Sequence, residues 1–329
     1  MKQILNHLFD HKTFDKQEAK EILINIASGK YSHSQMAAFM AVYCMRRITL
    51  EELEGFRDAM LELCFKIDLN GHELIDLVGT GGDGKNTFNI STLASFVVAG
   101  AGYRVAKHGN YGVSSACGSS NVMEYLGYSF NNEVDKLRRC IDYAGICFLH
   151  APLFHPAMKT VAPIRKELGV KTFFNILGPI VNPLQPKYQL IGVFSLDLAR
   201  LYAYLYQQQS CKQYTIVHAL DGYDEVSLTS DFKTFSNRGE HLQLVADLGF
   251  NQIDGAAIYG GNTVQESAAI FKSVLMGEGT TAQNQVVLSN AALAIQTIHL
   301  NKSFADCFAQ AQDSLFGGKA LSSFKKLLA

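Results

Sequence analysis

Between Gly79 and Asn121 the chain reads GTGGDGKNTFNIST and then, after an apolar run, KHGNYGVSSACGSSN. These are two glycine- and hydroxyl-rich loops, each leading into a segment of helical pattern. Side chains this small leave backbone N–H groups open to a ligand, and a helix start adds partial positive charge. One such loop is equally well explained by a tight turn. Two in succession, with Lys107, His108, Gly109 and Asn110 between them, point to a ligand with more than one phosphate. The formal net charge is −1 over 329 residues, so this attraction is local. Neither nucleic acid nor a membrane is an expected partner.

The surrounding segments indicate an α/β fold. Residues 74–79 (LIDLVG) form a buried-strand run, 91–102 a small-residue helix, and 103–106 a second strand. A helix follows at 121–126, then one at 134–144, a strand at 146–149 and another at 214–219. Residues 289–298, 304–315 and 321–328 read as helices, whereas 256–259 is too short to assign. Alternating strands and helices imply a mainly parallel central sheet covered by helices, with ligands beyond the carboxyl ends of its strands. Residues 1–70 differ: they are helical throughout, at 14–29, 32–47 and 49–64, with Asp15 as a cap and Thr49 and Glu52 as a capping box. Their apolar excess suggests a small helical domain that also packs on a partner. The 48% hydrophobic content allows a second, larger domain over 71–329. A proline-punctuated segment, 150–183, reads as a crossing between domains with a helix at 157–168. Seven cysteines without CxxC spacing, and an amino-terminal run unlike a signal peptide, fit a reducing cytoplasm.

The first loop narrowly misses a P-loop. Gly79, Gly84 and Lys85 fit, but Asn86 stands where Ser or Thr would hold magnesium. The hydroxyls arrive instead at Ser91 and Thr92, with Asn89 as a candidate N-cap. Lys107 is a point-charge partner for phosphate, and Ser114, Ser115, Ser119 and Ser120 supply hydroxyls before the next helix. Asp224 and Glu225 follow a strand, and such paired carboxylates suit magnesium better than zinc. His150 and His155 are spaced for no common helix face and read as structural. Arg165 has the chemistry to hold a carboxylate bidentately.

The strings GTGGDG, NIST, KHGN, VSSxxGS, HPAMKxVAPxRxELG, FNxLGPxxNP and DEVSLT, in this order, resemble the anthranilate phosphoribosyltransferases. The resemblance runs from about residue 74 to 229. It implies a fold like that of the pyrimidine nucleoside phosphorylases, with the helical domain completed by a segment near 165–190. It also implies phosphoribosyl pyrophosphate and anthranilate as substrates, Mg2+ as cofactor, and a homodimer through the helical domain. Carried over, Gly79, Gly82, Asp83, Thr87, Asn89, Ile90, Ser91, Thr92, Lys107, Ser114, Ser115 and Ser119 would surround phosphoribosyl pyrophosphate. Ser91 would meet one magnesium, and Asp224 and Glu225 the other. Gly79, Asn110 and Arg165 would hold anthranilate, with Arg165 facing its carboxylate. No residue need be a nucleophile or a strong base.

The chain departs from the family pattern in places. Tyr111 stands where arginine is common, Ala116 and Cys117 replace Lys-Ser, Asn121 stands where Asp is common, and Phe154 replaces a histidine. Two positive charges are thereby lost from the second loop. A nucleoside phosphorylase of the same fold would not require the Asp224 and Glu225 pair. A nucleic-acid-binding relative would want a basic groove, which the near-neutral charge does not supply.

Overall fold

The structure, a computed structural model, describes residues 1–69, 71–112 and 117–329. The chain forms two compact units. One comprises Met1–Ile67 and Ala151–Gln185, the other Asp68–His150 and Pro186–Ala329.

The first unit is helical, with helices Lys2–Phe9, Lys16–Ala27, His33–Met45, Leu50–Leu63 and Met158–Leu168. Asp15, Ser32 and Thr49 each accept the backbone N–H three residues on, and Glu18, Gln35 and Glu52 return the bond. The capping box expected at Thr49 and the cap at Asp15 are present, and Ser32 forms a further box with Gln35. Phe39, Tyr43, Phe56 and Phe173 pack in one aromatic cluster, with Phe56 and Phe173 stacked at 4.6 Å. Glu52, fully buried, receives Arg46 through both guanidinium nitrogens and also the Tyr43 hydroxyl.

The second unit is built on a seven-stranded sheet. Its strands are β1 (Leu74–Gly79), β2 (Arg104–Gly109), β3 (Ile146–His150), β4 (Tyr188–Gly192), β5 (Gln213–Ala219), β6 (Phe232–Ser236) and β7 (Gly239–Gln243). The spatial order is β3-β2-β1-β4-β5-β6-β7; the first five are parallel, and β6 and β7 add an antiparallel hairpin. Chain order reverses at β1, between β2 and β4. In open α/β sheets that reversal leaves a crevice at the strands' carboxyl ends. Gly79 and Gly192, in register, close β1 and β4 there. The helices Ile90–Gly100 and Thr281–Ile298 supply much of the core that packs on the sheet.

Several elements differ from the sequence reading. The second strand continues to Gly109, taking in Lys107 and His108, because β3 pairs with it from Val105 to Gly109. β4, β6, β7 and the helix Val264–Leu275 were not anticipated. Residues 256–258 lie in a short 3-10 turn, Gly255–Ile258, that Tyr259 follows. The helix expected at 289–298 begins at Thr281, capped by Thr280 and Gln283. Among the described residues no helix is long and apolar enough to cross a membrane.

Candidate functional site

The first glycine loop leaves β1 at Gly79 and enters the Ile90–Gly100 helix. Its turn is made by Gly81, Gly82 and Gly84, all in the left-handed region at φ 61°, 74° and 77°. The loop is tied across the sheet: Thr80 N–H donates to the Gly192 carbonyl at 3.0 Å, and Gly81 N–H to Asp224 Oδ2 at 2.7 Å. Asp83 Oδ1 accepts the Lys85 N–H. Lys85 itself lies over the Tyr223 ring at 4.6 Å, and Asn86 donates to the Gly261 carbonyl, so neither acts as in a P-loop. Thr87 bridges to Tyr259.

Asn89 occupies the N-cap position but does not cap. Its φ of −70° and ψ of 64° turn the side chain aside, and its Nδ2 donates to the Cys117 carbonyl at 3.2 Å. That contact ties the first loop to the end of the second, just before the helix that starts at Ser119. Among the described residues, Asn89 Oδ1 and Thr92 Oγ1 are buried with no hydrogen-bond partner. Ile90 contributes no side chain to a ligand: it is fully buried in the core, and its N–H is taken by the Phe88 carbonyl.

The carboxylates approach from the opposite side. Asp224 is buried and Glu225 partly so. Glu225 Oε1 accepts the Ser91 N–H at 3.3 Å, at the helix start. A Cβ on Gly79 would lie 2.6 Å from Asp224 Oδ2, so a larger residue there would displace the carboxylate that Gly81 N–H holds. Burial first, then the nearby Asp83 carboxylate, pushes Asp224 up to about 7. Burial and the Asp224 and Asp83 charges push Glu225 well above the usual carboxylate range.

Lys107 completes the group. It is buried in the middle of β2 rather than beyond its end, which corrects its expected position. Its Nζ donates to the Leu77 carbonyl at 2.6 Å and to Ser91 Oγ at 3.3 Å. Burial lowers it to about 8, while Asp76 and Glu225 work against that shift. A recess at the carboxyl ends of β1, β4 and β5 is lined by Gly79, Ser91, Gly192, Val217, Asp224, Glu225 and Asn290. Sequence reasoning did not single out Gly192 or Asn290; the signal for Asn290 is a lone amide inside the apolar run LSNAALAI.

The donor set fits a hard divalent cation. Among the described residues no three His, Cys, Asp or Glu side chains are grouped to hold a metal by themselves. Magnesium, however, is commonly bound by one or two carboxylates plus phosphate oxygens and water. Burial holds Asp83, Asp224 and Glu225 towards neutrality, and the Asp83 charge adds to the shift of the other two, so a bound cation would relieve the site.

The second loop is partly described. Ser114 and Ser115 lie outside the described residues. Ser119 Oγ and Ser120 N–H both donate to the Asn110 carbonyl, at 3.3 and 3.2 Å. Asn110 is exposed, and its Oδ1 accepts the Tyr111 N–H. Tyr111 does not stand in for a phosphate-binding arginine. Its hydroxyl donates to Glu124 at 2.7 Å and its ring meets His150 edge-on at 4.8 Å. His150 is packed by Phe130 and shares a hydrogen bond with Ser120 Oγ. Asn121 Oδ1 accepts the N–H groups of Gly112 and Gly118, fastening the loop to its own helix. Arg165 belongs to the helical unit, on Met158–Leu168. It is partly buried, donates to Asn175 Oδ1 at 3.4 Å, and lies 5.6 Å from the Phe174 ring.

Comparison with known proteins places the chain. Residues 71–321 match the glycosyl transferase family, a/b domain, and residues 2–64 the glycosyl transferase family, helical bundle domain. The anthranilate phosphoribosyltransferase of Christiangramia forsetii is 59% identical over 327 residues, covering 99% of this chain and 98% of that protein. The solved anthranilate phosphoribosyltransferase of Thermus thermophilus superposes with a TM-score of 0.90 at 30% identity, covering 98% of both chains. That of Saccharomyces cerevisiae, in complex with PRPP and Mg, gives 0.88 at 26% identity, over 95% of this chain and 92% of that one. The yeast protein has also been solved with 4-fluoroanthranilate.

Proposed function

The chain belongs to the anthranilate phosphoribosyltransferase family, and from that premise we propose how its own residues carry out the transfer. The reaction moves the phosphoribosyl group of phosphoribosyl pyrophosphate to the amine of anthranilate and releases pyrophosphate. One observation carries the assignment of the site: the start of the Ile90–Gly100 helix, the Lys107 ammonium, Asp224 and Glu225 converge at the strand reversal beside Gly79.

The aromatic amine is neutral at pH 7 and attacks without a strong base, so no residue is assigned as nucleophile or general base. The barrier lies in the departure of pyrophosphate and the positive charge developing on the ribose. Gly79, Gly82, Asp83, Thr87, Asn89, Ser91, Thr92, Lys107 and Ser119 are assigned to phosphoribosyl pyrophosphate. Ile90 is left out of this set, because its side chain is buried and its N–H is taken by the Phe88 carbonyl. Backbone N–H groups at the helix start and the Lys107 charge hold the diphosphate in one orientation, which favours in-line attack and inversion. Ser91, Asp224 and Glu225 would hold magnesium, which when bound neutralises charge on the leaving group. Asn110 and Arg165 are assigned to anthranilate; an arginine kept partly from water holds a carboxylate more firmly than an exposed one. The helical unit is assigned as the surface of a homodimer. Free thiols at all seven cysteines support a reducing, cytoplasmic setting.

The test is the fluorescence of anthranilate. Mixed with the protein, phosphoribosyl pyrophosphate and magnesium, it should decay, and omission of any one component should stop the decay. No decay while phosphoribosyl pyrophosphate still binds would mean that the acceptor is a different amine.

A further inference from the structure

Asn290 lies inside the Thr281–Ile298 helix, 4% exposed, within an otherwise apolar run. A buried amide is tolerated when its donors and acceptor are all used. Here they are. Oδ1 accepts the Val226 N–H at 3.1 Å, and Nδ2 donates to the carbonyls of Val226 and Val286, both at 2.9 Å. Swapping the amide oxygen and nitrogen would set oxygen against oxygen at both carbonyls, so the orientation is determined. Two bonds to the N–H and carbonyl of one residue reproduce a strand pairing and hold Val226 in place and in angle.

Val226 follows Glu225 directly. On the far side the Asp224 carbonyl presses against Gly192, where an added Cβ would overlap it. Two residues beyond Val226, Leu228 is fully buried with φ 60°. A leucine adopts that conformation when its surroundings impose it. The Asp224 and Glu225 dipeptide thus lies outside any regular strand and takes its position from β4 on one side and the Thr281–Ile298 helix on the other.

We infer that Asn290 is a positioning residue that, through Val226, aims Asp224 and Glu225 at the metal of the transfer reaction. The inference rests on the reading of that carboxylate pair given above. Partners of this kind, one step removed from the ligands, commonly set metal affinity.

The experiment uses the full chain with Mn2+ as a spectroscopic probe, its binding followed by electron paramagnetic resonance in the presence of phosphoribosyl pyrophosphate. Asn290→Leu removes all three hydrogen bonds at similar volume. Asn290→Ser is the milder variant should the leucine form not fold, and Gly192→Ala presses on the same dipeptide from the other side. Each should weaken Mn2+ binding by about 10–100-fold. The apparent Michaelis constant for anthranilate at saturating metal should stay within about twofold. Folded variants that bind Mn2+ as the parent does would overturn the inference. Equal losses for metal and anthranilate would also overturn it, because a general loosening of the fold acts on both. Asp224→Ala and Glu225→Ala separate the two readings. If they weaken Mn2+ and Asn290→Leu does not, the role of Asn290 alone is lost. If they have no effect, the metal assignment falls and this inference with it.

Discussion

His155 shows how far one residue's surroundings can move its chemistry. It is 2% exposed, and burial lowers its pKa from an ordinary 6.5 to about 4. The folded ring therefore stays neutral in a range where the unfolded chain takes up a proton. The linked stability is complete above about 6.5 and is lost as pH falls through about 4, an effect of roughly 3 kcal/mol at most. Denaturant melts between pH 7 and 4 should fall more steeply for the parent than for His155→Gln; parallel curves would rule this linkage out. Lys107 and Tyr111 were read differently from sequence than they stand in space. Lys107 reads as a phosphate partner just beyond the end of the second strand, yet extension of the ladder by β3 draws it into the strand and inside. Tyr111 reads as the loss of a positive charge where arginine is common; in space Glu124 and His150 occupy its hydroxyl and ring.

At the scale of elements, two effects oppose one another at Gly55 in the Leu50–Leu63 helix. Alanine is the better helix former by about 1 kcal/mol. A Cβ there, however, would overlap the Lys16 carbonyl and lie 2.7 Å from Ala19 Cβ and 2.9 Å from Lys20 N, on the neighbouring Lys16–Ala27 helix. Those atoms belong to backbone and to a methyl group fixed to it, so they yield only if the helices separate. Overpacking of this kind costs about 1–3 kcal/mol. Gly55→Ala should therefore lower the urea midpoint, and a raised midpoint would mean that propensity prevails. The helix start at Thr49 was legible because a capping box is written in four consecutive residues, and Asp15 was legible as a cap; the boxes at Asp15 and Ser32 were found in the structure. β4, β6 and β7 were not legible, because five residues are too few to fix a period, β7 is polar and largely exposed, and a strand is stabilised by neighbours distant in the chain.

For the whole molecule, the apolar side chains left exposed on the helical unit bear on assembly. Met45 is 90% exposed and Phe9 59%. If this unit carries the homodimer contact, sedimentation should give about twice the 36.2 kDa of one chain, and Met45→Glu should shift the population towards monomer. A parent protein that sediments as a monomer at micromolar concentration would remove the assignment. The sequence by itself determined the alternation of strand, glycine loop and helix, the capped helix starts at Asp15 and Thr49, and the ordered motifs that mark the family. Each of these is expressed by residues close together in the chain, where periodicity and local hydrogen bonding decide the outcome. Tertiary structure alone decided that Gly81 would meet Asp224 across 143 positions, that Ser91 would meet Glu225 across 134, and that Asn290 would hold Val226 across 64. The reversal of strand order at β1 brings those segments to one crevice, and the burial found there shifts Lys107 and Asp224 towards neutral pH.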